Sequence, residues 1–196
     1  VHGGSDSPDV AVITRLEVAR AAVDDWRGVF AAVSERTPMV ADPEVRSTAE
    51  AKRRWLLAEK LADTEEAWEL YQRLHEENPD DREVVSALAR IALARGETRM
   101  AISYLETLAS GAEGDAEAAE LRVRTAEVHR ANDAVDEARQ AYLDALDHVP
   151  DHTPALDGLK SLAREQEDWA GLLNILGREA NLADGDERID LLVRVA

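Results

Sequence analysis

Residues 137–151 read EARQAYLDALDHVPD, and residues 66–80, seventy-one positions earlier, read EAWELYQRLHEENPD. The shared residues are Glu66/Glu137, Ala67/Ala138, Tyr71/Tyr142 and Pro79-Asp80/Pro150-Asp151. The same shift carries Leu88 onto Leu159, Ala92 onto Ala163 and Leu105 onto Leu176. A shift of 34 carries Ala67, Tyr71 and Leu74 onto Ala101, Leu105 and Leu108. Shifts near one and two lengths of 34 predict a chain built of hairpins of about that size, with occasional insertions.

Each hairpin reads as two amphipathic helices. Val85, Leu88, Ala89 and Ala92 fall at i, i+3, i+4 and i+7, one helical stripe. Gly96-Glu97 interrupts it before Ala101, Leu105 and Leu108 begin a second. Asp42-Pro43 places a capping carboxylate before a proline at the first helical position, and Thr153-Pro154 is expected to do the same. Pro79 and Pro150 are expected to close the helices before them, since proline has no N–H to donate and its predecessor avoids the α region. No stretch alternates with period two, so no strand is expected.

Composition narrows the function. The 196 residues carry 23 Lys+Arg against 41 Asp+Glu, a formal charge of -18. That surface repels phosphate backbones and anionic lipid, so neither nucleic acid nor membrane insertion is expected. No apolar run approaches the roughly 18 residues that cross a bilayer. The chain has no Cys, which excludes disulfides, thiolate metal sites and thiol nucleophiles. The opening Val1-His2-Gly3-Gly4-Ser5-Asp6-Ser7-Pro8 has no basic or apolar region of a signal peptide and no initiating Met, as expected of an excerpt from a longer protein. Localisation is left at the cytoplasmic default.

The phased series resembles the tetratricopeptide repeat (TPR), whose small and aromatic positions are matched by Ala126, Ala138, Tyr142, Ala145 and Pro150, and again by Ala67, Tyr71, Leu74 and Pro79. Asp25-Trp26 with Gly28 mirrors Asp168-Trp169 with Gly171 at two hairpin turns. Trp55 stands where a small residue belongs, and Val29 and Leu172 replace an alanine, so these units are divergent, and the resemblance is to a divergent array of bacterial type. The resemblance implies an all-α fold: a right-handed α-α superhelix, or solenoid, of about five hairpins plus an unpaired C-terminal helix. The layout expected is a flexible segment over 1–8 and a repeat domain over 9–196. Its repeats are placed at 10–41, 42–81, 82–114, 115–152 and 153–185, with a partial one at 186–196. Leu192 and Val195 of that last helix lack a covering successor, which predicts either a truncated end or self-association through it.

Candidate chemistry is sparse. His148 and His152 lie four apart among Asp147 and Asp151, but Pro150 between them denies one continuous helix, so a metal-dependent module there is the weakest alternative. His129 falls at an aromatic repeat position and is expected as a packed ring with one nitrogen satisfied. No nucleophile is phased beside it. The carboxylate pairs Asp24-Asp25, Glu76-Glu77 and Asp80-Asp81 sit at helix ends, where they serve as caps or face solvent. Gly111-Ala112-Glu113-Gly114 lacks the lysine and strand of a phosphate cradle. Trp26, Trp55, Trp68 and Trp169 are expected in the core. No enzyme activity, cofactor or metal is expected.

The resemblance also implies a concave groove lined by the first helix of each hairpin. Carried over position by position, it places Lys52, Arg53, Lys60, Arg90, Arg124, Arg130 and Arg164 there as peptide-binding cations, with Arg15 and Arg194 on the same register. Glu59, Glu83, Glu120, Glu127, Asp157, Glu165 and Asp190 are interspersed. This face is less acidic than the whole, and implies a scaffold for a protein or peptide partner, with an acidic or C-terminal segment as the candidate ligand. The bland alternative is that these cations pair with the interspersed carboxylates. The carboxylate clamp that some relatives use for chaperone tails is not kept. Lys52 and Arg124 hold two of its positions, while Leu56, Ala87 and Glu120 hold the others. A structural, self-assembling array within a larger protein is the alternative function.

Overall fold

The computed structural model describes residues 8–182, which form ten α-helices and one 3-10 turn. In chain order the helices are α1 (Pro8–Ala21), α2 (Trp26–Arg36), α3 (Pro43–Glu59), α4 (Glu65–Glu77), α5 (Arg82–Ala94), α6 (Thr98–Ser110), α7 (Asp115–Ala131), α8 (Val135–His148), α9 (Thr153–Glu165) and α10 (Trp169–Leu182). No strand occurs among the described residues. Residues 1–7 and the final helix expected over 186–196, with Leu192, Val195 and Arg194, lie outside them.

Helix starts follow from local chemistry. Asp42 accepts from the N–H groups of Glu44 and Val45 at 2.9 and 3.4 Å, and Pro43 takes the first helical position. Asp81 caps α5 in the same way, through Glu83 and Val84. Asp25 and Asp168 each accept from the N–H three residues on, Gly28 and Gly171, at 2.9 Å. These carboxylates satisfy N–H groups that a helix start leaves unpaired. The α9 start differs from expectation. Thr153 is already helical and His152 occupies the cap position without a side-chain bond, so Pro154 lies one residue deeper than a capping threonine would place it. Helices α4 and α8 end just before Pro79 and Pro150, as expected. Gly96, with φ +76°, closes α5 in the left-handed region that a Cβ disfavours.

The chain divides into two compact units, residues 1–97 and 98–196. In the first, α1 packs on α2, α2 on α3, α3 on α4 and α4 on α5, and the first helices α3 and α5 also meet. Val29, Val33, Ala49 and Leu56 make a core, with Trp26 and Phe30 against it. In the second unit, α6 to α10 pack in succession and α7 meets α9. Its core gathers Val123, Ala126, Ala138, Tyr142, Ala145 and Leu159. The residues that define the repeat are inside: Ala67, Tyr71, Ala138 and Tyr142 are all buried. Tyr142 lies against α9, where a Cβ on Gly158 would come within 2.3 Å of the ring. Only glycine lets the two helices approach that closely.

Two tryptophans contradict the expectation of a core role. Trp169 is 60% exposed and Trp55 47%. On α3 the inward positions are taken by Leu56, Leu57 and Ala58, which leaves Trp55 turned outward. Trp26 and Trp68 are half-buried, their faces covered by Lys60 Nζ at 4.6 Å and the Arg95 guanidinium at 5.4 Å.

Candidate functional site

The cations that the sequence assigns to the first helices are mostly engaged with neighbouring hairpins. In the first unit Lys52 of α3 pairs with Glu17 of α1, and Arg90 of α5 pairs with Glu59 of α3. In the second, Arg130 of α7 pairs with Glu165 of α9 and reaches Ser161 Oγ at 3.2 Å. The partners stand 35, 31 and 35 residues apart, one hairpin length, so each pair is a rung between successive first helices. Arg53 leans on Glu66 at 3.6 Å and on the Phe30 ring at 5.4 Å. Lys60 sits over the rings of Trp26 and Trp55. Most rungs are half exposed, so each contributes little stability on its own. Their consequence is that, within each unit, successive first helices are joined by opposite charges.

Arg124 of α7 and Arg164 of α9 differ. Neither has an ion-pair or hydrogen-bond partner for its side chain among the described residues. Arg124 is half-buried and Arg164 exposed. An arginine held on a helix with its donors unspent is suited to bidentate capture of a carboxylate.

One residue of this face was not singled out from sequence. Glu17 is 4% exposed, and its carboxylate lies between Lys52 and Arg36 Nη2, the latter at 3.4 Å. The signal was present: Glu17 follows Val10 and Ile13 on the inward stripe of α1, a charge where an apolar residue belongs.

The histidine turn is divided between two carboxylates of α7. His148 Nδ1 lies 3.2 Å from Asp115 Oδ1, and His152 Nε2 lies 3.9 Å from Glu120 Oε2. Pro150 ends the helix between them and sends the rings to different partners. Among the described residues no three His, Asp or Glu side chains converge to hold a metal ion. His129 is half-buried and makes no side-chain hydrogen bond among those residues, against the satisfied nitrogen expected of it. Lys160 of α9 is a structural cation. Burial works against its charge, but hydrogen bonds to Glu179 at 2.6 Å and Asp157 at 2.9 Å outweigh it and hold the ammonium above the usual lysine value. No helix of the described residues is long and apolar enough to cross a membrane.

Residues 56–124, which include the rung from Glu59 to Arg90, match the family model of the tetratricopeptide repeat. Over those residues the chain carries tetratricopeptide repeats. The array is similar in fold to a solved MamA RS-1 ArsTM double mutant, with 13% identity over 89% of this chain and 94% of that one and a TM-score of 0.56. A crystal structure of MamA protein gives 14% identity over 90% and 97% of the two chains, with a TM-score of 0.51. Yeast Tom70 gives 17% identity over 97% of this array but 40% of its own chain, with a TM-score of 0.53. At such identities the likeness is one of fold. No curated protein sequence matches the array. Tetratricopeptide arrays are commonly protein-interaction scaffolds, and the fold here is of that kind.

Proposed function

We propose that this array is a non-enzymatic scaffold that binds a segment of a partner protein along its first helices, with no cofactor. In the first unit the binding residues are Lys52, Arg53, Lys60 and Arg90, and in the second Arg124, Arg130 and Arg164. The observation that carries this is the contrast between rungs and unspent arginines. Arg130 is fixed by Glu165 and Ser161, while Arg124 and Arg164 have no such partner among the described residues. Preformed helices lose little entropy on binding, which favours capture of an extended or helical segment. The overall charge of -18 repels a strongly acidic chain at long range, so the ligand carries a few carboxylates placed to meet these arginines.

Selection of a random peptide library on the immobilised chain should enrich peptides with Asp or Glu. The double variant Arg124→Glu with Arg164→Glu should weaken the best of them by about tenfold or more, as expected for lost charge-assisted hydrogen bonds. Its circular dichroism and melting should stay unchanged, since surface substitutions of this kind act within about 0.5 kcal/mol. Unchanged affinity would refute the assignment.

A second reading, a self-assembling array, is favoured by the outer side of α1. Val12, Leu16 and Ala19 form a helical stripe there and Val23 follows in the turn after it, with Val12 63% and Val23 73% exposed. Light scattering over a dilution series decides it: mass that grows with concentration supports assembly, and a constant monomer mass ends it.

A further inference from the structure

Helices α8, α9 and α10 enclose a cleft of about 260 Å³ in the second unit. Its floor is apolar, made by Leu143, Leu146, Leu159 and Ile175, and its rim carries Arg139, Asn174 and Arg178. The face of α9 that lines it, through Leu156, Leu159 and Ala163, is opposite the one that bears Ser161 and Glu165. The cleft is therefore separate from the first-helix face of the proposed function. Pockets for whole small molecules run from about 300 to 1,000 Å³, so this one admits little more than a single bulky side chain.

The rim has unused hydrogen-bonding capacity. The nearest anion to Arg139 is Asp168 Oδ2 at 3.9 Å, too far for a hydrogen bond, and Asp168 Oδ1 already accepts from the Gly171 N–H. Arg178 gives one donor to the Leu146 carbonyl oxygen at 3.2 Å, out of the five a guanidinium holds. The Asn174 amide has no side-chain hydrogen bond among the described residues. Nor does the fold require arginine at these places. Arg139 follows Ala138 where Trp68 follows Ala67 and Phe30 follows Val29, and Arg178 stands six residues after Leu172 where Arg73 stands six after Ala67 and Glu35 six after Val29. Where the first unit carries an aromatic ring at the place of Arg139, the second carries a guanidinium over an apolar floor.

We propose that this cleft receives the C-terminal residue of a partner polypeptide. A bulky apolar side chain covers the leucine floor, the terminal carboxylate is held by Arg139 and Arg178, and the last peptide group pairs with Asn174. A side-chain amide matches a peptide group in donor and acceptor, which favours a polypeptide over a simple aliphatic acid. One terminal charge also suits a strongly negative protein better than an acidic tract does.

The test uses the full chain labelled with nitrogen-15 and titrated with N-acetyl-L-leucine, N-acetyl-L-leucinamide and octanoate, read by proton–nitrogen NMR. The Gly171 backbone amide and the Asn174 side-chain amide should shift with N-acetyl-L-leucine and saturate at about millimolar concentration, as one side chain and one charge allow. The leucinamide should bind at least about fivefold more weakly, since it lacks the charge-assisted pair. Arg139→Gln should remove that advantage of the acid, while Arg124→Glu with Arg164→Glu should leave it intact. Loss only in the latter variant would place the binding on the first-helix face and overturn the cleft assignment. Equal binding of acid and amide, or shifts that never saturate, would overturn it too. Octanoate binding more tightly than N-acetyl-L-leucine would replace the polypeptide with a lipid-like ligand.

Discussion

Tyr142→Ala will lower the unfolding free energy by about 3–5 kcal/mol, the range for a large aromatic ring removed from a core. The ring is 2% exposed and lies between α8 and α9, with Ala126, Ala138, Ala145 and Leu159 around it. Gly158 lets the α9 backbone come close against the ring, so little can move in to fill the space left behind. Tyr142→Phe should cost far less, because the ring, not the hydroxyl, makes the packing. Urea unfolding followed by circular dichroism measures both. Since repeat arrays unfold unit by unit, amide exchange should show the lost protection in α7 to α9. A loss below about 1 kcal/mol would mean that the hairpins are not held by this ring. The phenol adds a pH signature. Burial raises its pKa above the ordinary 10, Glu127 adds to the rise and Arg130 opposes it. The folded state thus keeps a proton that the unfolded chain releases. Stability from this group is complete below about 10 and is lost as pH climbs through the raised folded value, and Tyr142→Phe should remove that alkaline loss.

The small-residue and aromatic positions were legible because they record a local requirement. Ala67, Ala101, Ala138 and Ala145 sit where helices approach, and any larger side chain would hold them apart, so the need repeats at the hairpin length. Helix starts at Asp42 and Asp81 were legible for the same reason, since a cap acts within three residues. The pairing of cations was not. Whether Arg90 meets Glu59 or Arg124 meets nothing depends on registry between residues about one hairpin apart, which no local pattern encodes. The exposure of Trp55 and Trp169 was hidden similarly: periodicity shows that a ring lies near an apolar stripe, not which neighbour takes the inward place. Arg139 and Arg178 escaped notice because their meaning arises only when α8 and α10 stand beside one cleft.

Glu17→Ala should destabilise the first unit by about 3–5 kcal/mol, because it strips a buried ion pair of one partner and leaves the other charge unmet. Arg36, whose side chain is 14% exposed, faces Glu17 at 3.4 Å and would be stranded. Lys52 would suffer less, since its ammonium is half open to water and can be hydrated there. The carboxylate therefore works chiefly as the counter-charge that lets Arg36 remain inside, and secondarily as the rung from α1 to α3. This division of roles predicts unequal coupling. Lys52→Ala should cost about 1 kcal/mol or less, in the range of an exposed pair. Glu17→Leu combined with Arg36→Leu should be nearly neutral or stabilising, because both charges leave the interior together and apolar contact replaces them. Urea titration of the unchanged protein, Glu17→Leu, Arg36→Leu and the double variant, with the double change compared against the sum of the singles, measures the coupling between Glu17 and Arg36. If the double variant is as unstable as Glu17→Ala, the buried charges are not what Glu17 answers to, and its place on the α1 stripe serves packing alone.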